Sequence, residues 1–393
     1  MPFSSSVDSD AAPLPFAELL VLELASVLAG PQVGQFFAEL GATVLKVEAP
    51  AGDVTRTWKT SAEPAATDVS AYFSCANWGK QSIVADLTTA AGLARVRELA
   101  ARADVVIASY KPGDAEKLGV DYDQLRTLNP RLIYAHLTGY GPESARAGYD
   151  AVLQAEAGFM YLNAQPGQEP QKMPVALIDL LAAHQLKEGL LTALYHRACT
   201  GQGSLLRVSL LDSALASLAN QAATWLVTSH DPKPLGSGHP SIVPYGTVYR
   251  AGNGRSLVLA VGADRQFRHL CAALERPEWA ADARFGTNEA RVAHRAALET
   301  LLQQRIGEVD GDTLLRELEQ LGVPAGAVRT VGEALTLESG RQMLLPAAGG
   351  GFAGLRTVAF RSSAWPLAPT LSPPPHLGEQ PGDGGVAGKE LGR

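Results

Sequence analysis

Apolar positions in the first 140 residues fall into short runs of strand length, separated by stretches with helical spacing. "LLVLEL" (19–24) and "ATVLKVE" (42–48) are compact runs suited to buried strands, and "GPQVGQFFAELG" (30–41) between them opens on Gly-Pro and closes on Gly41, as a helix does. A strand, a helix and a strand in so short a span predict a parallel βαβ unit. The rhythm returns in "QSIVADL", "TAAGLARVRELAAR" and "ADVVIASY", and then in "LIYAHLTGYG" (132–141). The expected class is α/β, a doubly wound parallel sheet whose ligands bind beyond the carboxyl ends of its strands.

Downstream, "LLAAHQLKEGLLTALYHRACTG" reads as a long helix stopped by Gly201 and Gly203, and "SLLRVSLLDSALASLANQAATWLVTS" as a strand followed by a helix. The pattern changes after a turn-rich piece, where "TVYRAGNGRSLVLAVG" predicts a hairpin around an Asn-Gly turn. We place a large domain at 1–225 and a smaller α+β domain at 226–330. The final segment, 331–393, ends in a Pro/Gly-rich tail expected to be extended or mobile.

Composition narrows the function. The 393 residues carry a net charge of −7 and no Lys/Arg cluster longer than a pair, which argues against nucleic-acid or anionic-membrane binding. Hydrophobic residues make up 46% and charged residues 19%, as in a globular protein with a large core. Cys75, Cys199 and Cys271 are far apart and odd in number, which suggests a reduced, cytoplasmic chain without a zinc site. No basic residue precedes the first apolar run, so no signal peptide is expected, and no apolar stretch has the length of a membrane span.

Several chemistries lack their motifs. Glu48 stands where an acid would hold a ribose, yet Gly30 and Gly34 do not make the G-x-G-x-x-G spacing of a dinucleotide site. No G-x-S-x-G elbow is present, and the eight histidines form no H-E-x-x-H pair, so no metal is expected. What stands out is Asp179, a lone acid in the apolar run "MPVALIDLLAAH". Isolated burial of a carboxylate is costly, so this acid must cap, pair or react. As an N-cap of the following helix it would be stabilised in its ionised form, a state that also suits a nucleophile.

The run "VLELASVLAGPQVGQFFAELGATVLKVEAPAGDVTRTW" resembles the opening of the class III CoA-transferases of the CaiB/BaiF type. "SAYFSCANWGKQSIVADL", "KPGDAEKLGVDYDQLRTLNPRLIYAHLTGYG", "TGQGSLLRVSLLDS" and "GHPSIVPYGTVY" follow in that family's order. The likeness extends from about residue 18 to "PPPHLGEQ". It implies a Rossmann-like large domain completed by the returning C-terminus, a small domain between, and an interlocked homodimer. It also implies an acyl-CoA:carboxylate CoA-transferase that uses a CoA thioester and a small carboxylic acid as substrates and holds no permanent cofactor.

By position the resemblance makes Asp179 the catalytic aspartate. Val27, Leu28, Ala29, Ser109, Tyr110, Lys117 and Tyr140 become CoA contacts, with Ser109 replacing the family's Asn and Ala49 replacing a basic residue used by some relatives. Ala182 and Ala183 stand where many relatives have Thr/Ser-Gly, which implies a slightly different packing of the helix start. Succinyl-CoA and other dicarboxylic acyl-CoAs are the closest in look. For the second carboxylate of such a substrate, Arg56, Lys80 and His239 are candidates, with Gly238 in a stretch from Gly236 that resembles a covering flap. A racemase of the same family is the alternative, but it would want a His where Tyr149 stands, and a phenol of ordinary pKa is a poor base. A noncatalytic CoA-binding subunit is the other alternative, though such chains usually lack the aspartate.

Overall fold

The computed structural model describes residues 13–348 and 350–379. The polar N-terminal arm and the end of the Pro/Gly-rich tail lie outside the described residues. The chain forms two compact units. One takes the chain up to Ala157, Pro174–Ala219 and the part from Arg341 onward; the other takes Gly158–Met173 and Asn220–Gly340.

The first unit is built on six parallel strands: β1 (Leu20–Leu24), β2 (Thr43–Glu48), β3 (Lys80–Val84), β4 (Val105–Ala108), β5 (Ile133–Thr138) and β6 (Ser204–Ser209). Their order is β3-β2-β1-β4-β5-β6, so the winding reverses between β1 and β4 and leaves a crevice at the strand ends there. Buried residues such as Leu22, Leu45, Val106 and Tyr134 pack one face of this sheet against the helix Ala90–Ala100, through Val96 and Leu99.

The sheet also buries charge. Glu23 on β1 and Lys46 on β2 are neighbours in register and pair at 3.1 Å. Lys80 on β3 reaches the other Glu23 oxygen at 2.7 Å and also donates to Asn77 and the Pro31 carbonyl. Beyond them Lys46 meets Asp53 at 2.9 Å. Glu48 takes the Arg56 guanidinium through both oxygens, at 2.7 and 2.8 Å, and accepts from Ser82 as well. Burial works to raise the Glu48 pKa, but Arg56 and Ser82 outweigh it and hold the carboxyl below its ordinary range. The helix Ala29–Glu39 crosses directly over this cluster. A Cβ at Gly34 would come within 1.9 Å of a Glu23 oxygen, so glycine there is a packing requirement.

The C-terminal part returns to this unit. Gln35 donates to the Leu355 carbonyl, and a Glu39 oxygen accepts from Thr357. The described end of the tail is held beside β3: Gly79 donates to Ser372, Ser82 to Glu379, and Arg56 to Pro375.

The second unit carries an antiparallel sheet of β7 (Tyr245–Arg250), β8 (Ser256–Ala260) and β9 (Ala325–Ala327), in that order, and includes the expected hairpin. The helix Asp264–Ala273 buries Phe267, Leu270 and Cys271, and the helix Arg295–Ile306 buries Leu298, Leu302 and Ile306. These i, i+3 and i+4 spacings make the single apolar faces that close this core with Leu257, Leu259, Leu314 and Leu318. No helix among the described residues is long and apolar enough to cross a membrane.

Candidate active site

A cavity of about 220 Å³ opens at the carboxyl ends of β1, β4 and β5. Asp179, Val27, Leu28, Ala29, Ser109 and Tyr110 line it together, joined by Lys111, Arg146, Tyr149 and Asp150. Five of the expected CoA contacts therefore share one wall with the expected nucleophile.

The turn after β1 is held from two sides. Ser26 donates its N–H to Ser109 Oγ at 3.2 Å, which ties the β1 and β4 turns together. Val27 adopts φ 71°, a region that β-branched residues almost never enter. Its N–H points at the Asp53 carboxylate, 3.2 Å from Oδ2. The buried cluster thus runs from Lys80 through Glu23, Lys46 and Asp53 to the backbone of the cavity wall. A β-branched residue at positive φ stores backbone strain, and here the Asp53 carboxylate holds it at the cavity wall.

Asp179 does not cap its helix. The helix is Leu177–Thr200, with Ala176 at the N-cap and no side-chain cap bond of its own, so Asp179 is the third helical residue. The cap comes from elsewhere: Asp150 Oδ1, on the helix Asp150–Glu156, accepts the Ile178 N–H at 2.8 Å. Because that neighbouring acid supplies the acceptor, the helix can start two residues before Asp179.

The electrostatic expectation changes accordingly. Asp179 is 8% exposed, and among the described residues no hydrogen bond or ion pair reaches its carboxylate. Burial, and after it the charge of Asp150, pushes its pKa up to about 7. The helix end therefore does not hold Asp179 as a strongly ionised acid; near neutrality it is divided between its two forms. Tyr72 feels the same environment, its hydroxyl pushed up to about 12 by burial and then by Asp179. Ala182 and Ala183 are fully buried, so these small residues are packed into the helix interface.

Other expected residues lie elsewhere. Lys117 sits on the short helix Asp114–Leu118, with its side chain 78% exposed and paired to Asp114, and does not line the cavity. Tyr140 lies beneath the Arg146 guanidinium, 4.1 Å from the ring centroid. Arg56 and Lys80 are buried and fully engaged by Glu48 and Glu23, so the structure gives them a role in the sheet in place of meeting a substrate carboxylate. Gly238 and His239 belong to the second unit. There Gly238 donates to Leu235, and the His239 ring accepts from the Ser241 N–H and packs edge-on to Tyr245. Lys111, Arg146 and Asp150 were not anticipated. Lys111 directly follows Tyr110 in the sequence, whereas the role of Asp150 depends on a contact 28 residues away that only the fold creates.

Comparison with known proteins gives a consistent result. Residues 16–381 match the model of CoA-transferase family III. The chain is 41% identical over 326 residues to a succinate–glutarate CoA-transferase of Agrobacterium fabrum, covering 81% of each chain. It is 35% identical to an acetyl-CoA:oxalate CoA-transferase of Acetobacter aceti, covering 85% of this chain and 86% of the other. A crystal structure of a CaiB/BaiF family protein from Brucella suis superposes with a TM-score of 0.83 at 41% identity, over 94% of this chain and 97% of that one.

Proposed function

The chain belongs to CoA-transferase family III and is a CoA-transferase of that class, and on that premise we propose that it moves CoA between a dicarboxylic acyl-CoA, succinyl-CoA foremost, and a free carboxylic acid, with Asp179 as nucleophile. The observation that carries this reading is a buried, unneutralised carboxylate sharing one cavity with the Val27–Ala29 and Ser109–Tyr110 turns. The dicarboxylic preference draws on the succinate–glutarate relative.

The chemistry balances without an added proton donor. An Asp179 oxygen attacks the thioester carbonyl, the C–S bond breaks, and CoA leaves as thiolate with the electron pair, forming a mixed anhydride. The thiolate then attacks the Asp179 carbonyl carbon; the C–O bond breaks, the donor acid departs as carboxylate, and an aspartyl-CoA thioester remains. An incoming carboxylate attacks that thioester, and the released thiolate takes the new acyl group, restoring Asp179. Dividing the exchange into these steps is covalent catalysis. Anhydrides hydrolyse readily, so the low exposure of Asp179 protects the intermediate. A carboxylate more basic than usual is also the better nucleophile once ionised. Lys111 and Arg146 are the cavity's cations, suited to CoA phosphates and to a distal carboxylate.

Two copies assemble as an interlocked homodimer in this reading. Its support is apolar surface in need of cover: the helix Ala219–Thr228 buries none of its residues and leaves Leu226 and Val227 71% and 83% exposed. Three free cysteines fit a reducing, cytoplasmic setting.

The direct test is an acceptor panel with succinyl-CoA, measured in wild type and Asp179→Ala. Transfer to glutarate or a similar acid that vanishes in the variant is the expected result. Undiminished transfer in the variant would remove Asp179 from the reaction, and α-hydrogen exchange in deuterium oxide without acceptor would point to racemisation instead.

A further inference from the structure

Asp150 lines the same cavity as Asp179, yet no step of the exchange written above uses it. Both of its oxygens are committed: Oδ1 accepts the Ile178 N–H at 2.8 Å, and Oδ2 accepts from Gln154 Nε2 at 2.7 Å. Both are bonds that a carboxylate accepts, and they hold the group in place from two sides. The site therefore holds two acids together and gives the free donor at the helix start to the one that does not react.

We infer that Asp150 is a positioning residue that fixes the start of the Leu177–Thr200 helix and, through its like charge, drives Asp179 toward its covalent, uncharged forms. This rests on the reading of Asp179 as nucleophile. When an Asp179 oxygen bonds to the acyl carbon and the C–S bond breaks, the negative charge passes from Asp179 to the CoA sulfur. In the anhydride and in the aspartyl-CoA thioester, Asp179 carries no charge. Repulsion by Asp150 is felt only by the free carboxylate, so it raises the resting enzyme relative to both intermediates. The like charge needs no motion and no proton; it acts because it is fixed by the hydrogen bonds that cap the helix.

Other charged groups around the helix are occupied or lie on the cavity rim. Glu39 is bound by Gln35 and Thr357, and Asp212 by Ser209. Arg197 pairs with Asp104 at the far end of the helix, and Arg146 with Glu156. Lys187 lies over the Phe36 ring, His184 follows on the same helix, and Lys111 faces the cavity. Tyr72, on the short helix Ala71–Ser74, feels the charge of Asp179. Among the described residues none of these forms an ion pair with Asp179, which leaves Asp150 as the charge whose removal changes the nucleophile.

The test follows covalent adduct at Asp179 by intact-protein mass spectrometry after mixing with succinyl-CoA, from about pH 5 to about pH 9. Wild type should form adduct with a midpoint near the Asp179 pKa of about 7. Asp150→Asn keeps an acceptor for the Ile178 N–H and removes the charge. It should lower the midpoint by about one unit and reduce the adduct fraction at high pH by about tenfold. Asp150→Ser, a smaller neutral acceptor, should shift the midpoint the same way, and Asp150→Glu should keep it near the wild-type value. Unchanged midpoint and adduct in folded Asp150→Asn or Asp150→Ser would overturn the inference, as would a wild-type midpoint in the ordinary carboxylate range. A wild type that forms no adduct at Asp179 would instead refute the nucleophile itself, which separates the two failures.

Discussion

Two groups of buried charge lie in the first unit, and they are built on opposite rules. Around β1, β2 and β3, the acids Glu23, Glu48 and Asp53 are matched by Lys46, Lys80 and Arg56, and each acid is held by more than one partner. At the start of the Leu177–Thr200 helix, Asp179 and Asp150 face one cavity with no cation paired to Asp179 among the described residues. Burial acts on both groups alike. In the first, partners outweigh it and Glu48 stays ionised; in the second, nothing opposes it and Asp179 becomes a weak acid. Compensated charge fixes structure, and uncompensated charge is kept in reserve for reaction.

The largest expected effect is on activity. Asp179→Asn should reduce CoA transfer by at least about a thousandfold, as loss of a nucleophile does, read from acyl exchange under saturating substrates. Stability should respond with opposite signs in the two groups. Glu23→Gln leaves Lys46 and Lys80 without their shared acid, and should destabilise the fold by about 3–5 kcal/mol in denaturant unfolding.

Asp179→Asn should instead stabilise the protein at alkaline pH. The folded pKa, about 7, lies above that of the unfolded chain, so the stabilisation tied to protonated Asp179 is complete below the unfolded pKa and is lost as pH rises through 7. At about pH 8 the variant should gain about 2–4 kcal/mol over wild type, and at about pH 4 almost nothing. A gain that failed to grow with pH would break the contrast between the two groups.

Smaller effects probe the link between cluster and cavity. Asp53→Asn weakens the hold on the Val27 turn and should raise KM for the CoA thioester by about three- to tenfold, leaving kcat nearly unchanged. Lys111→Ala should raise the same KM by about threefold, and Lys117→Ala, whose side chain is exposed and away from the cavity, should not change it. An equal response from both lysines would return Lys117 to the phosphate site.

Much of this was legible in the chain, and the rest was hidden for definite reasons. The strand and helix runs of the first 140 residues identify the parallel sheet because buried parallel strands are continuous apolar runs. Asp179 is visible because an acid interrupts such a run. The same reasoning extends to Glu23 in "LLVLEL" and Lys46 in "ATVLKVE", charges within strand runs that pair because parallel register sets them side by side. Arg56 and Lys80 resemble ligand-binding cations only while their partners across the sheet are unknown. Neither the capping of Ile178 by Asp150 nor the pKa of Asp179 could be read locally, since both arise where two helices meet.

The central claim is tested most directly by trapping the enzyme in mid-reaction. Protein incubated with succinyl-CoA and then treated with hydroxylamine is digested and its peptides are weighed. The account predicts a hydroxamate at Asp179, dependent on succinyl-CoA and absent from Asp179→Asn. A protein that turns over succinyl-CoA with Asp179 unlabelled, or with the label at another carboxylate, would contradict it.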